Sequence, residues 1–245
     1  MGKGVLVTGT DTGVGKTLIA CGLAYALRDL GYKIGVMKPA ESGCEERDGA
    51  LFPQDAYCLQ QAAGHDQSLD DICPYRFSDP LAPSIAAERI GESIDLPFLA
   101  QRFREISHAK DLTIVEGAGG ILVPLNGRFT YADLAVHLEL PLIVVVGNRL
   151  GALNHCLLTL EHASRLGLEI LGYVLNDLEG RSSAAAQSNR STLNALTEIP
   201  CLGEIPYIGP AKPESPPPVL NRPLLSALFQ EKIGLQGVLD LLKTG

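Results

Sequence analysis

Short runs of consecutive apolar residues, many of them β-branched, alternate along the chain with longer stretches whose apolar positions recur three and four apart. These are the signatures of buried strands and of helices with one buried face. The first run, Val5-Leu6-Val7, breaks at Gly9. Ile19, Leu23, Ala26, Leu27 and Leu30 then predict a helix over 16–30, which Gly31 is placed to stop. Ile34-Gly35-Val36-Met37 predicts a second strand, ended by Lys38-Pro39 and a loop over 40–43. A charged segment over 44–53 leads to a helix over 54–64, and residues 70–89 are turn-rich, with a short helix over 84–89. Leu99, Phe103 and Ile106 predict a helix over 96–109. The third strand, Leu112-Thr113-Ile114-Val115, closes on Glu116-Gly117-Ala118-Gly119-Gly120. After a helix over 131–138, Leu142-Ile143-Val144-Val145-Val146 is apolar on both faces, as the middle of a parallel sheet requires. A helix carrying Leu157, Leu158, Leu160 and Ala163, a strand over 170–175, a helix over 182–196 and an apolar stretch over 201–206 follow.

This alternation predicts a doubly wound, mainly parallel α/β sheet with right-handed crossovers. No linker divides it, so one domain over 1–245 is expected. Five prolines fall between 209 and 218, which predicts an extended surface loop over about 209–223, with short helices over 224–229 and 235–242 closing the chain. In such a sheet, functional residues gather on the loops at the carboxyl ends of the strands.

Composition narrows the chemistry. A net charge of −8 leaves no basic field to collect nucleic acid or an anionic membrane, so any phosphate affinity has to be local. The first residues run straight into a strand, so no signal peptide is expected, and no apolar run approaches the ~20 residues of a membrane span. A cytoplasmic location is expected. Six cysteines without any C-x-x-C pair read as packed thiols of a reducing compartment.

The stretch Gly9-Thr10-Asp11-Thr12-Gly13-Val14-Gly15-Lys16-Thr17 carries the strongest signal. Glycines between a strand and a helix let the backbone approach an anion, and the helix start aims free N–H groups at it. Gly13, Val14 and Gly15 would cradle a nucleotide, Lys16 would charge-pair its β- and γ-phosphates, and the Thr17 hydroxyl would bind Mg²⁺. A strict P-loop of the Walker kind has its first glycine at position 10, where Thr10 stands, with Gly9 one place earlier. Lys38 sits beside a glycine loop as a second phosphate cation, and Glu116 ends an apolar strand where α/β nucleotide enzymes hold Mg²⁺. Asp55 reads either as a metal ligand or as an acid that complements a helix dipole. Asn176-Asp177 lacks the lysine of a guanine-reading Asn-Lys-x-Asp element, which favours ATP, with the Asn176 amide suited to the adenine edge. No Ser-His-Asp set or G-x-S-x-G elbow is present, so the acceptor attacks directly and no side chain is covalently modified. The five histidines show no ligand spacing, although His155 adjoins the Arg149 loop.

The motifs at 9–17, Lys-Pro-Ala-Glu-Ser-Gly at 38–43, Val-Glu-Gly-Ala-Gly-Gly at 115–120, Val-Val-Gly-Asn-Arg-Leu-Gly at 145–151 and Gly-Glu-Ile-Pro at 203–206 together resemble the dethiobiotin synthetase family of biotin biosynthesis, over about residues 3–207. The displaced first glycine is that family's own form of the loop. The resemblance implies a P-loop NTPase fold and a reaction in which ATP, Mg²⁺, CO₂ and 7,8-diaminopelargonic acid give dethiobiotin, ADP and phosphate through a carbamic-phosphoric anhydride. It further implies that Thr12, Lys16 and Lys38 surround the phosphates and carbamate and that Thr17, Asp55 and Glu116 hold Mg²⁺. By the same resemblance Ser42 and Gly119 meet the substrate, Pro206 joins Asn176 at adenine, and Gly151, Ala152, Leu153 and Asn154 bind the substrate carboxylate across a homodimer interface. Two positions depart from the pattern: Gly13 replaces a Glu of some members, and Arg149 replaces a Lys. The rival is a partitioning-type switch ATPase, whose loop carries a lysine where this chain has Asp11.

Overall fold

A computed structural model describes residues 3–180, 183–209 and 221–243. In chain order the elements are β1 (Gly4–Gly9), α1 (Lys16–Asp29), β2 (Ile34–Met37), β3 (Ala40–Ser42), β4 (Glu45–Arg47), β5 (Ala50–Phe52), α2 (Gln54–Ala63), α3 (Leu69–Ile72), β6 (Tyr75–Phe77), α4 (Pro83–Arg89) and α5 (Leu96–His108). There follow β7 (Leu112–Gly120), β8 (Pro124–Asn126), β9 (Phe129–Thr130), α6 (Tyr131–His137), β10 (Leu142–Gly147), α7 (Ala152–Arg165), β11 (Ile170–Asn176), α8 (Ala184–Leu196), β12 (Cys201–Ile205), α9 (Arg222–Lys232) and α10 (Gln236–Lys243).

Six strands form one sheet in the order β12-β11-β10-β1-β7-β2, and every adjacent pair is parallel. Strand alternation divides the burial between two layers. From β1, Val5 and Val7 pack with Ile19, Leu23 and Leu27 of α1, Leu59 of α2 and Phe229 of α9. Leu6 turns to the other face, among Leu99 and Phe103 of α5 and Leu134 of α6. Val144 and Val146 of β10 meet Cys156 and Leu160 of α7 and Leu193 of α8 on that same second face. Both faces being covered explains the unbroken apolar runs of β1 and β10. Because β1 lies between β7 and β10, the loop leaving β1 opens at the switch point, where such sheets bind ligands.

Several expectations change. Residues 40–42 form a strand, β3, which pairs in parallel with β6 inside the turn-rich region. The charged segment folds as the β4–β5 hairpin, turned at Asp48 and Gly49, both with positive φ. Strand β7 does not stop before Glu116 but runs through it to Gly120, with Val7 of β1 in register with Glu116. Of the last two helices, α9 is longer than periodicity suggested, and α10 has the expected length shifted by one residue. Helix α9 starts at Arg222, with Pro223 in its first turn, and so trims the expected proline-rich loop, of which 210–220 lie outside the described residues. Helix α9 docks on α1, where a Cβ on Gly22 would stand 2.1 Å from the Phe229 ring. The Asp29–Arg222 ion pair adds a polar tie between the same helices. At the far edge the Lys3 ammonium donates to the Leu242 carbonyl at 2.8 Å, joining the start of β1 to the end of α10. All six cysteines are unpaired and five are buried, so they pack as thiols.

Candidate active site

The loop between β1 and α1 takes its shape from two glycines. Gly13 (φ +75) and Gly15 (φ +93) lie in the left-handed region, where a Cβ is strained. Gly15 caps α1 without any side-chain acceptor, leaving the first-turn N–H groups for an anion. Lys16 is buried, with its ammonium on the Asp11 carbonyl at 3.1 Å. Burial, seconded by the nearby Lys38 charge, lowers its pKa to about 8. Asp11 itself accepts from the Thr12 N–H at 2.7 Å and pairs with Arg149 at 3.3 Å across the half-exposed rim.

Lys38, at the carboxyl end of β2, is 2% exposed and donates to Glu116 Oε1 at 2.6 Å and to Asp55 Oδ2 at 2.9 Å. The Thr17 hydroxyl donates to the same Glu116 oxygen at 2.9 Å. Burial alone would discharge Lys38, but the two carboxylates outweigh it and raise its pKa. Asp55 is likewise desolvated, yet Lys38 holds its carboxyl below the usual range. Glu116 is fully buried, and that burial pushes its carboxyl upward against the pull of Lys38. Its Oε2 is sealed from water without a partner among the described residues. An orphaned carboxylate oxygen at a cluster of hard oxygen donors suits a divalent cation.

One cleft of about 490 Å³ gathers most of the expected residues: Thr12, Gly13, Gly15, Lys16, Thr17, Lys38, Ser42, Asp55, Glu116 and Gly119 all line it. They come from four separate segments, held together because β1, β2 and β7 end side by side. Glu41 belongs to this set and was not singled out by sequence. It is 6% exposed, and its two oxygens accept from the Asp55 and Ala56 N–H groups at 2.9 and 3.0 Å. Glu41 thus caps α2 from a distance, in place of Pro53, which has no capping side chain. Burial, with the Asp55 charge adding to it, raises its pKa to about 7. Its signal, an acid next to Ser42 in the Lys-Pro-Ala-Glu-Ser-Gly motif, was visible; its partner fourteen residues on was not.

Other expected residues lie elsewhere. Pro206 lines a second cleft of about 580 Å³ with Asn148, Asp177, Arg190 and Glu204. Asn176 was expected to offer its amide to a base. Its Nδ2 donates to the Val14 carbonyl at 2.9 Å, and its Oδ1 is buried and without a partner among the described residues. Gly151 (φ +92) caps α7 with no side-chain acceptor, but Gly151, Ala152, Leu153 and Asn154 do not line the lysine cleft of their own chain. Asn154 borders a separate groove of about 340 Å³ with Leu157 and Leu196, and neighbouring Leu150 is 88% exposed.

Comparisons with known proteins bear on the family and the fold. The AAA domain family matches residues 3–215. The chain is 42% identical over 205 residues to the ATP-dependent dethiobiotin synthetase BioD of Anaeromyxobacter dehalogenans, covering 84% of this chain and 90% of that relative. It is 36% identical over 216 residues to the ATP-dependent dethiobiotin synthetase BioD of Thermodesulfovibrio yellowstonii, covering 85% and 90%. Among solved structures, the MinC:MinD cell division complex of Aquifex aeolicus superposes with a TM-score of 0.56 at 16% identity, over 98% of this chain and 94% of that one. The septum site-determining protein MinD of Pyrococcus horikoshii, complexed with Mg-ADP, gives 0.52 at 17% identity, over 98% and 95%. At such identity these two establish the P-loop NTPase fold alone.

Proposed function

The chain belongs to the ATP-dependent dethiobiotin synthetases, ligases of biotin synthesis, and we propose that its lysine cleft joins CO₂ to 7,8-diaminopelargonic acid at the expense of ATP, giving dethiobiotin, ADP and phosphate. The observation that carries the site assignment is the convergence of Lys16, Lys38, Thr17, Asp55 and Glu116 in one cleft beneath a glycine loop. On this reading an amine of the substrate takes up CO₂ as a carbamate, whose oxygen attacks the γ-phosphorus as ADP leaves. The second amine then attacks the anhydride carbon, closes the ureido ring and expels phosphate. On this reading no protein nucleophile is needed.

Each side chain has a task that follows from its setting. The N–H groups of Gly13 and Gly15 and the Lys16 ammonium hold the β- and γ-phosphates. Lys38, kept protonated by its two carboxylates, presents a fixed charge between γ-phosphate and carbamate, while Thr12 reaches the same phosphate from the exposed rim of the loop. Thr17, Asp55 and Glu116 would hold Mg²⁺, which would neutralise charge on the phosphates. Among the described residues no three His, Cys, Asp or Glu side chains form a cation site by themselves. Ser42 and Gly119 face the diamine, and Asn176 Oδ1 with Pro206 receives the adenine. We propose further that the chain works as one domain in the cytoplasm and as a homodimer, with the Gly151 helix start of one subunit taking the substrate carboxylate at the cleft of its partner. Among the described residues no helix is long and apolar enough to cross a membrane. The switch-ATPase reading rests on shared fold alone, and position 11 holds Asp11, paired with Arg149.

The deciding experiment supplies ATP, bicarbonate and 7,8-diaminopelargonate and follows dethiobiotin and phosphate by mass spectrometry. One phosphate per dethiobiotin is expected, and ATP consumption without dethiobiotin would reject the proposal. Calorimetry with the decarboxylated diamine addresses the Gly151 site, where undiminished binding would rule it out.

A further inference from the structure

Asn176 ends β11, aligned with Gly147 of β10 and Ile205 of β12, and its own carbonyl accepts from the Asn148 N–H at 2.8 Å. Its backbone is therefore fixed on both sides by the sheet, and its side chain, 2% exposed, crosses to the phosphate loop. There Nδ2 donates to the Val14 carbonyl at 2.9 Å. The amide nitrogen also lies close against the bare α-carbon of Gly15, where a Cβ would sit 2.2 Å from Nδ2. The Val14 side chain is wedged as well: a Cβ on Gly9 would stand 2.8 Å from one of its methyls, and a Cβ on Gly147 3.4 Å from the other. The ends of β1, β10 and β11 thus converge on a single peptide, Val14–Gly15.

A trans peptide is planar, so its N–H points opposite to its carbonyl. Tying the Val14 carbonyl to Asn176 turns the Gly15 N–H away from the sheet, and Gly15 lines the lysine cleft. Glycine on one side of this peptide would otherwise leave it free to rotate. We propose that Asn176 is a positioning residue for the phosphate loop, its carboxamide presetting the Gly15 N–H for a polyphosphate with or without a base attached. This rests on the nucleotide reading above and goes beyond the expected contact with adenine. Ordering a loop beforehand strengthens binding by removing that cost from the binding step.

Tripolyphosphate, which has no base, separates the two roles. In calorimetry the wild-type protein binds tripolyphosphate and ATP, and Asn176→Ala weakens tripolyphosphate roughly tenfold, the worth of one buried hydrogen bond. ATP weakens by at least that factor. If Asn176→Ala binds tripolyphosphate within about twofold of wild type while ATP alone weakens, Asn176 serves only the base and the proposal is wrong. A wild-type protein that binds neither ligand overturns the phosphate-loop reading itself, a different failure. Should the variant not fold, nuclear magnetic resonance on the wild-type protein decides. The Asn176 side-chain amide protons of the ligand-free protein exchange slowly and contact the Gly15 α-protons, and a freely exchanging amide with no such contact refutes the strap.

Discussion

Lys38, Asp55, Glu116 and Thr17 share one hydrogen-bonded cluster, so their roles are coupled and their charges are mutual. Removing Lys16 or Glu116 takes a preorganised charge from the cleft, and Lys16→Ala or Glu116→Ala is expected to lower dethiobiotin turnover ~10²-fold or more. Near-normal product formation by either variant in a steady-state assay would rule out the role assigned to it. Glu41 gives a pH signature in the ligand-free protein. Its folded pKa of about 7 lies above the ordinary 4.5, so between those values the folded state holds a proton that the unfolded chain has released. Its contribution therefore makes stability fall as pH rises across that window, by at most ~3 kcal/mol. Glu41→Gln removes this share, and urea midpoints at pH 5 and pH 7.5 should lie closer together in the variant than in the wild type. An unchanged spacing contradicts the assignment. Lys16, Lys38 and Glu116 stood out in the sequence because residue types that suit phosphate or cations lay at the glycine loop and at strand ends, and the fold gathers the three in one cleft. The Glu41 cap and the bond from Asn176 to Val14 did not stand out, because each joins a side chain to a backbone group distant in the chain.

Among the elements, the sheet strands were legible because burial on both faces leaves long apolar runs. The small strands were not. Glu45-Glu46-Arg47 of β4 is exposed throughout, so no alternation marks it. Strand β3 exists through its pairing with β6, a contact that no local pattern encodes. The long α9 was hidden by its polar face, yet its Phe229 is fully buried on the smallest side of α1. Phe229→Ala should open a cavity there and cost ~3–5 kcal/mol. Denaturant unfolding measures it, and a loss below about 1 kcal/mol would mean that α9 is a loosely held appendage.

At the scale of the molecule, two layers of helices clamp a parallel sheet whose carboxyl edge carries every residue assigned to phosphate, cation and base. The opposite edge carries turns such as Leu166-Gly167-Leu168, which only connect α7 to β11. The hydrogen bond between Lys3 and the Leu242 carbonyl places residues nearly the whole sequence apart beside each other on this scaffold. The order in which the elements are strung is therefore separable from their arrangement in space. A circular permutant, with the old ends joined through a short Gly/Ser linker and a new opening at the exposed Gly167, keeps every strand neighbour and leaves the cleft intact. Its circular dichroism and its rate of dethiobiotin formation should match those of the parent chain. Such a rewired protein would carry its new termini on the edge away from the chemistry, where a fused reporter could be attached without obstructing the substrates.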